Sequence, residues 1–101
     1  MFNIQDYISK DETIILSGKL PCDEKSLCDF VLTNKKIVQY DKDGYFHMIW
    51  LKSITEIVNV SEENLMIICN SSRPNTTMDF YYGYDDELVF KVGKELAKHI
   101  V

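Results

Sequence analysis

A chain of 101 residues, 46% hydrophobic and 27% charged, has the size and composition of one globular domain and excludes extensive disorder. Its net charge of −5 and pI near 4.9 argue against nucleic acid and anionic membrane, whose binders usually carry a basic face. Arg73 is its single arginine, which further weakens any bidentate phosphate site.

The elements read in chain order as follows. Ile4, Tyr7 and Ile8 share one side at i, i+3, i+4 spacing and predict a short helix over 3–9, within an N-terminal segment 1–10. So short a helix must dock on something to exist. Residues 12–20 are rich in β-branched side chains and predict a strand, followed by the polar, acidic loop 21–26. From Leu27 to Thr33 the pattern alternates, with Cys28, Phe30 and Leu32 on one face. A turn at Asn34-Lys35 leads to a strand over 36–41. Asp43-Gly44 then supplies the positive φ that a hairpin turn demands, and the return strand spans 45–51. Further strands are expected over 53–60, 65–69 and 77–82, separated by a turn at 61–64 and a polar loop at 70–76.

After Gly83 the period changes. Asp85 suits an N-cap, with Asp86 and Glu87 in the first turn where the helix dipole favours negative charge. Leu88, Val89, Val92, Gly93, Leu96 and Ile100 form one apolar stripe of a helix over 85–100. Seven short strands and one amphipathic helix predict a mainly β single domain, 1–101: a seven-stranded antiparallel, partly open barrel capped by the helix. Closure of this kind limits exposed edges.

This order resembles the pleckstrin-homology (PH) superfold. Residues 30–41, with Leu32-Thr33-Asn34-Lys35-Lys36 at their centre, followed by Ile49-Trp50-Leu51-Lys52-Ser53-Ile54-Thr55-Glu56-Ile57, are similar to bacterial PH-like and GRAM-type domains. The resemblance implies a binding or assembly module without catalytic apparatus. Phosphoinositide-binding members of the superfold have a basic cluster at the first hairpin. Here the loop carries Asp23 and Glu24 against Lys25, and Asp29 follows.

Cys22, Cys28 and Cys69 are an odd number, and with His47 and His99 they lack the short spacing of a zinc site. Cys28 and Cys69 read as small core hydrophobes. Cys22, beside two acids, is a poor nucleophile. No Ser/His/Asp order, phosphate loop or HExxH motif is present. Residues 1–6 have neither the basic nor the apolar stretch of a signal peptide. The expectation is a cytoplasmic, non-enzymatic protein without metal or cofactor. Its partner is expected to be another protein or a second copy, with a peripheral lipid-binding module as the alternative and a cysteine-dependent enzyme a remote one. The lipid reading would use Lys35, Lys36 and Lys42.

Two stretches carry surplus apolar surface. Residues 46–51 and 65–69 are apolar on both faces, whereas a strand with one wet face alternates. If Phe46, Met48 and Trp50 point inward, Ile49 and Leu51 face out. The N-terminal helix, another subunit or both then cover them. Tyr81, Tyr84 and Phe90 complete the candidate interaction surface, aromatic types being favoured at interfaces; ordinary packing at the barrel end is the alternative.

Overall fold

The computed structural model describes residues 3–59, 63–70 and 77–99. Residues 61–62 of the turn expected at 61–64, residues 71–76 of the loop expected at 70–76, residue 60 of the strand expected over 53–60 and the helix end at Ile100 lie outside the described residues. Strands β1 (Ile14–Pro21), β2 (Leu27–Thr33), β3 (Lys36–Tyr40) and β4 (Phe46–Trp50) pair in chain order as one antiparallel sheet. A second antiparallel sheet joins β5 (Ile54–Asn59), β6 (Asn64–Cys69) and β7 (Thr77–Tyr81), and helix α1 (Asp86–Ala97) follows. The fold is therefore mainly β, with α1 packed on β1 and β5. The sheets do not close into a continuous barrel, and the arrangement is compatible with a PH-like fold. The ladder breaks where Leu51–Ser53 forms a 3-10 turn. Ile54 N donates to Leu51 O and Leu51 N donates to Lys35 O at 2.9 Å, which redirects the chain into the second sheet.

Local chemistry explains the turns and the helix. Asp41 Oδ1 accepts from the Asp43 and Tyr45 amides, and Gly44 adopts φ +104° in the β3–β4 turn. Asp85 Oδ1 accepts from Leu88 N at 3.1 Å, capping α1 as expected. Val89, Val92 and Leu96 are buried, while Leu88 and Gly93 are half-buried on the same stripe.

The two sheets meet through Phe30 and Phe80, whose rings stand edge to face with centroids 5.4 Å apart. Gln39, buried on β3, ties the sheets by donating from Nε2 to Asp79 O at 2.7 Å. Helix α1 comes close to β1 at Gly18, where a Cβ would stand 3.0 Å from Leu88 Cδ2 and 3.6 Å from the Phe30 ring. Gly18→Val is expected to lower stability by about 1–3 kcal/mol through overpacking. Urea denaturation would read this, and an unchanged midpoint would mean that α1 does not seat against β1.

The in–out register of β4 is the reverse of the sequence expectation. Ile49 is only 4% exposed and Leu51 likewise 4%, both within the core, whereas Phe46 and Trp50 are exposed. Ile37 opposes Ile49 on the ladder and both face inward. Trp50 instead covers the Lys36 ammonium at 5.2 Å on the outer face. Ile49 and Leu51 thus leave the expected outer surface, because alternation shows which residues share a face but not which face is buried.

The outer face of the first sheet carries Val31 and Val38, both buried although outside the main core. Tyr7 and residues 11–13 bind this sheet at Phe46 and at residues 33–36. Ile4–Tyr7 forms a 3-10 turn rather than a longer helix, and Asn3 Oδ1 caps it. The Tyr7 ring rests 4.8 Å from Phe46, and Lys36 Nζ donates to Tyr7 O. Of the covers expected for the doubly apolar strands, the N-terminal segment reaches Phe46 of β4, while Phe46 and Trp50 keep exposed surface.

Candidate interaction surface

The Thr33-Asn34-Lys35-Lys36 stretch, central to the PH-like resemblance, binds the chain's own N-terminal segment. Thr33 Oγ1 donates to Glu12 Oε2 at 2.6 Å, and Thr13 N donates to Asn34 Oδ1 at 2.8 Å. Lys35 Nζ donates to Asp11 Oδ2 at 2.6 Å, and Lys36 Nζ to Glu12 Oε1 at 2.9 Å. The Lys36 and Glu12 side chains are 6% and 2% exposed. Burial pushes the Glu12 carboxyl up, but hydrogen bonds from the Thr33 hydroxyl and the Ser9 amide, with Lys36 beside it, outweigh this and hold its pKa at about 2. Two of the three lysines of the lipid reading are therefore engaged in holding residues 7–13.

The first-hairpin loop is organised by its acids. Asp23 Oδ1 accepts from the Lys25 and Ser26 amides at 2.7 and 2.6 Å, and Asp29 pairs with Lys19 across the ladder at 3.3 Å. Cys22 and Cys28 form a disulfide with Cα atoms 5.9 Å apart. Cys28 is buried as expected, but bonded rather than free. The pairing of Pro21 with Leu27 and Leu20 with Cys28 brings the two cysteines to the mouth of one hairpin. Cys69 is half-buried on β6. Among the described residues no group of three or more His, Cys, Asp and Glu side chains could hold a metal.

His47 opposes Gln39 on the ladder and is half-buried. Burial lowers its pKa below the usual histidine value, against the opposing pull of Asp79. His99 lines a separate hollow of about 400 Å3 with Lys35, Trp50 and Lys52. Neither histidine forms a catalytic constellation with the other residues described.

The structure brings the remaining aromatic candidates to one corner, where β7 turns into α1. Gly83, at φ +109°, makes that turn, and Asp86 Oδ1 accepts from its amide at 2.6 Å. Between α1 and β5 runs a groove of about 520 Å3, lined by Ile57, Leu65, Val89, Phe90, Gly93 and Ala97. Phe90 stands at its lip, 63% exposed. On the other side of the corner lies a hollow of about 610 Å3, where Asp23, Glu24, Glu63 and Asp86 surround Tyr81 and Tyr84. Tyr84 is 61% exposed and Tyr81 half-buried.

Tyr82 lines both hollows. Its ring lies 5.6 Å from Phe90, and its hydroxyl donates to Asn59 Oδ1 at 2.6 Å. The run Phe80-Tyr81-Tyr82-Gly83-Tyr84 carries the sequence signal for this corner, but period-2 alternation assigns Tyr82 inward with Phe80. Partial burial at the sheet's end lets it serve both sides.

Compared with known proteins, the chain matches no family model, no curated protein and no solved structure.

Proposed function

We propose that this chain is a non-enzymatic, PH-like binding module of the bacterial PH/GRAM type. In this reading it docks a segment of a partner protein in the groove between α1 and β5. The observation that carries the proposal is Phe90, an exposed aromatic at the lip of a concave apolar groove. Self-association, the other reading drawn from surplus apolar strands, loses part of its motive because Ile49 and Leu51 are buried in the core. The lipid reading is weakened by the burial of Lys36 and the pairing of Lys35 with Asp11. A cytoplasmic location remains part of the proposal; in that compartment the Cys22–Cys28 bridge would tend to be reduced.

Phe90→Ala tests the reading directly. Because the ring is largely exposed, the substitution should change folding stability by no more than about 0.5 kcal/mol. Ten-residue peptides selected from a random displayed library against the full chain should shift backbone NMR signals of α1 and β5. Phe90→Ala should weaken them roughly tenfold or more, as expected of an aromatic anchor. Binders that map elsewhere, or that ignore the substitution, would overturn the proposal.

A further inference from the structure

We infer that the segment docked in this groove is basic: it sets an apolar side chain beside Phe90 and a lysine or arginine at the tyrosine–carboxylate end. The inference rests on the reading that the groove docks a protein, and it adds the chemistry of the occupant. Tyr82 lines both hollows, so the apolar trough and the acidic aromatic end adjoin at this residue, close enough for one extended segment to reach both. At that end Asp23, Glu24, Glu63 and Asp86 line a single concavity.

Two of these acids, Asp23 and Asp86, are held in place by backbone amides. Two backbone amides orient Asp23, and the Gly83 amide orients Asp86, while both keep their charge at the hollow. Three of the acids, Asp23, Glu24 and Glu63, act on the same phenol. The Tyr81 phenol is pushed above its ordinary pKa by burial first, then by Asp79, Glu24, Asp23 and Glu63. A cation seated there gains from the carboxylates and from the faces of the tyrosine rings together.

A second copy is a poorer occupant. Each copy carries a net charge of −5, so two copies repel at long range. On α1, Lys91 and Lys98 are already paired with Glu87 and Glu95 at 3.6 and 3.0 Å. A separate chain meets neither obstacle, and its lysine or arginine would sit at the carboxylate end, which Lys94 of the groove does not line.

The peptide selection supplies the test through the composition of the binders and their response to Glu24→Lys. Binders should pair an apolar anchor with lysine or arginine. Their affinity should fall roughly fivefold in the Glu24→Lys protein at low salt, with a shallower salt dependence than for the unsubstituted chain. Circular dichroism and urea denaturation would establish that the variant folds, and Glu24→Gln, with a smaller loss, provides a milder second variant. Peptides that need Phe90 but carry no basic residue and ignore both Glu24 substitutions would overturn this inference and leave the proposed function standing. Binders indifferent to Phe90 and Glu24 alike would overturn both. A concentration-dependent dimer in light scattering, abolished by Phe90→Ala, would identify the occupant as a second copy and overturn the basic-segment assignment.

Discussion

Glu12→Gln is expected to destabilise the protein by about 3–5 kcal/mol, because it leaves the Lys36 ammonium buried without its counter-charge. That is a large part of the stability of a domain this size, which is typically about 5–15 kcal/mol. Lys36→Met should be similarly damaging from the other side, since a buried carboxylate would then face no cation. The double variant Glu12→Leu/Lys36→Met removes both charges and keeps the volume apolar. It should recover to within about 2 kcal/mol of the unsubstituted protein, as buried ion pairs replaced together by hydrophobic groups often do. With Glu12→Leu as the matching single variant, urea denaturation of the unsubstituted chain, Glu12→Leu, Lys36→Met and the double variant forms a double-mutant cycle. Simple additivity of the two single losses would show that the pair is not coupled.

The same pair sets the response to acid. The Glu12 pKa is depressed in the folded state, from an ordinary 4.5 to about 2, so its contribution is complete above pH 4.5. It is lost as pH falls from there towards 2, because the unfolded chain takes up the proton first. For a side chain so little exposed, a shift of this size corresponds to roughly 3 kcal/mol. His47 acts in the same direction at higher pH. Its folded pKa lies below the ordinary histidine value, so stability begins to decline as pH falls below about 6.5. In Glu12→Gln the His47 step should remain and the step below pH 4.5 should shrink. An acid-unfolding curve of unchanged shape would contradict the assignment to Glu12.

Phe30→Ala should cost about 3–5 kcal/mol, the range for removing a fully buried aromatic ring. Phe30 is 1% exposed and Phe80 is fully buried, and their edge-to-face contact joins the two sheets. Phe80→Ala should cost a comparable amount. Their coupling energy should reach about 0.5–1.5 kcal/mol, the usual worth of an aromatic pair beyond its buried area. Chemical denaturation measures all three quantities. A coupling near zero would mean that the rings stabilise their own sheets separately.

The segments with a repeating local pattern were legible from sequence. Leu88, Val89, Val92 and Leu96 recur with the helical period, and Asp85 announced the cap that its carboxylate makes at Leu88 N. Asp43-Gly44 marked the β3–β4 turn through the one backbone conformation that glycine adopts at little cost. Strand existence and order followed from alternation and β-branching. The acidic character of the first loop was equally plain, although its place beside Tyr81 and Tyr84 was not.

Only tertiary structure decided how these pieces face one another. Lys36 looked like a surface lysine because its partner, Glu12, lies 24 residues away and meets it only when residues 11–13 bind the sheet. Ile49 and Leu51 share a face that alternation identifies, but burial of that face depends on Ile37 and the rest of the core across the ladder. Cys22 and Cys28 meet because hairpin register brings them together. The division into two sheets depends on the Leu51 amide finding Lys35 O, another long-range bond. Periodicity reports what neighbours along the chain share, so the sequence determined the elements and their polarity. The inside of β4, the buried ion pair and the aromatic corner with its groove required contacts between residues far apart in the chain.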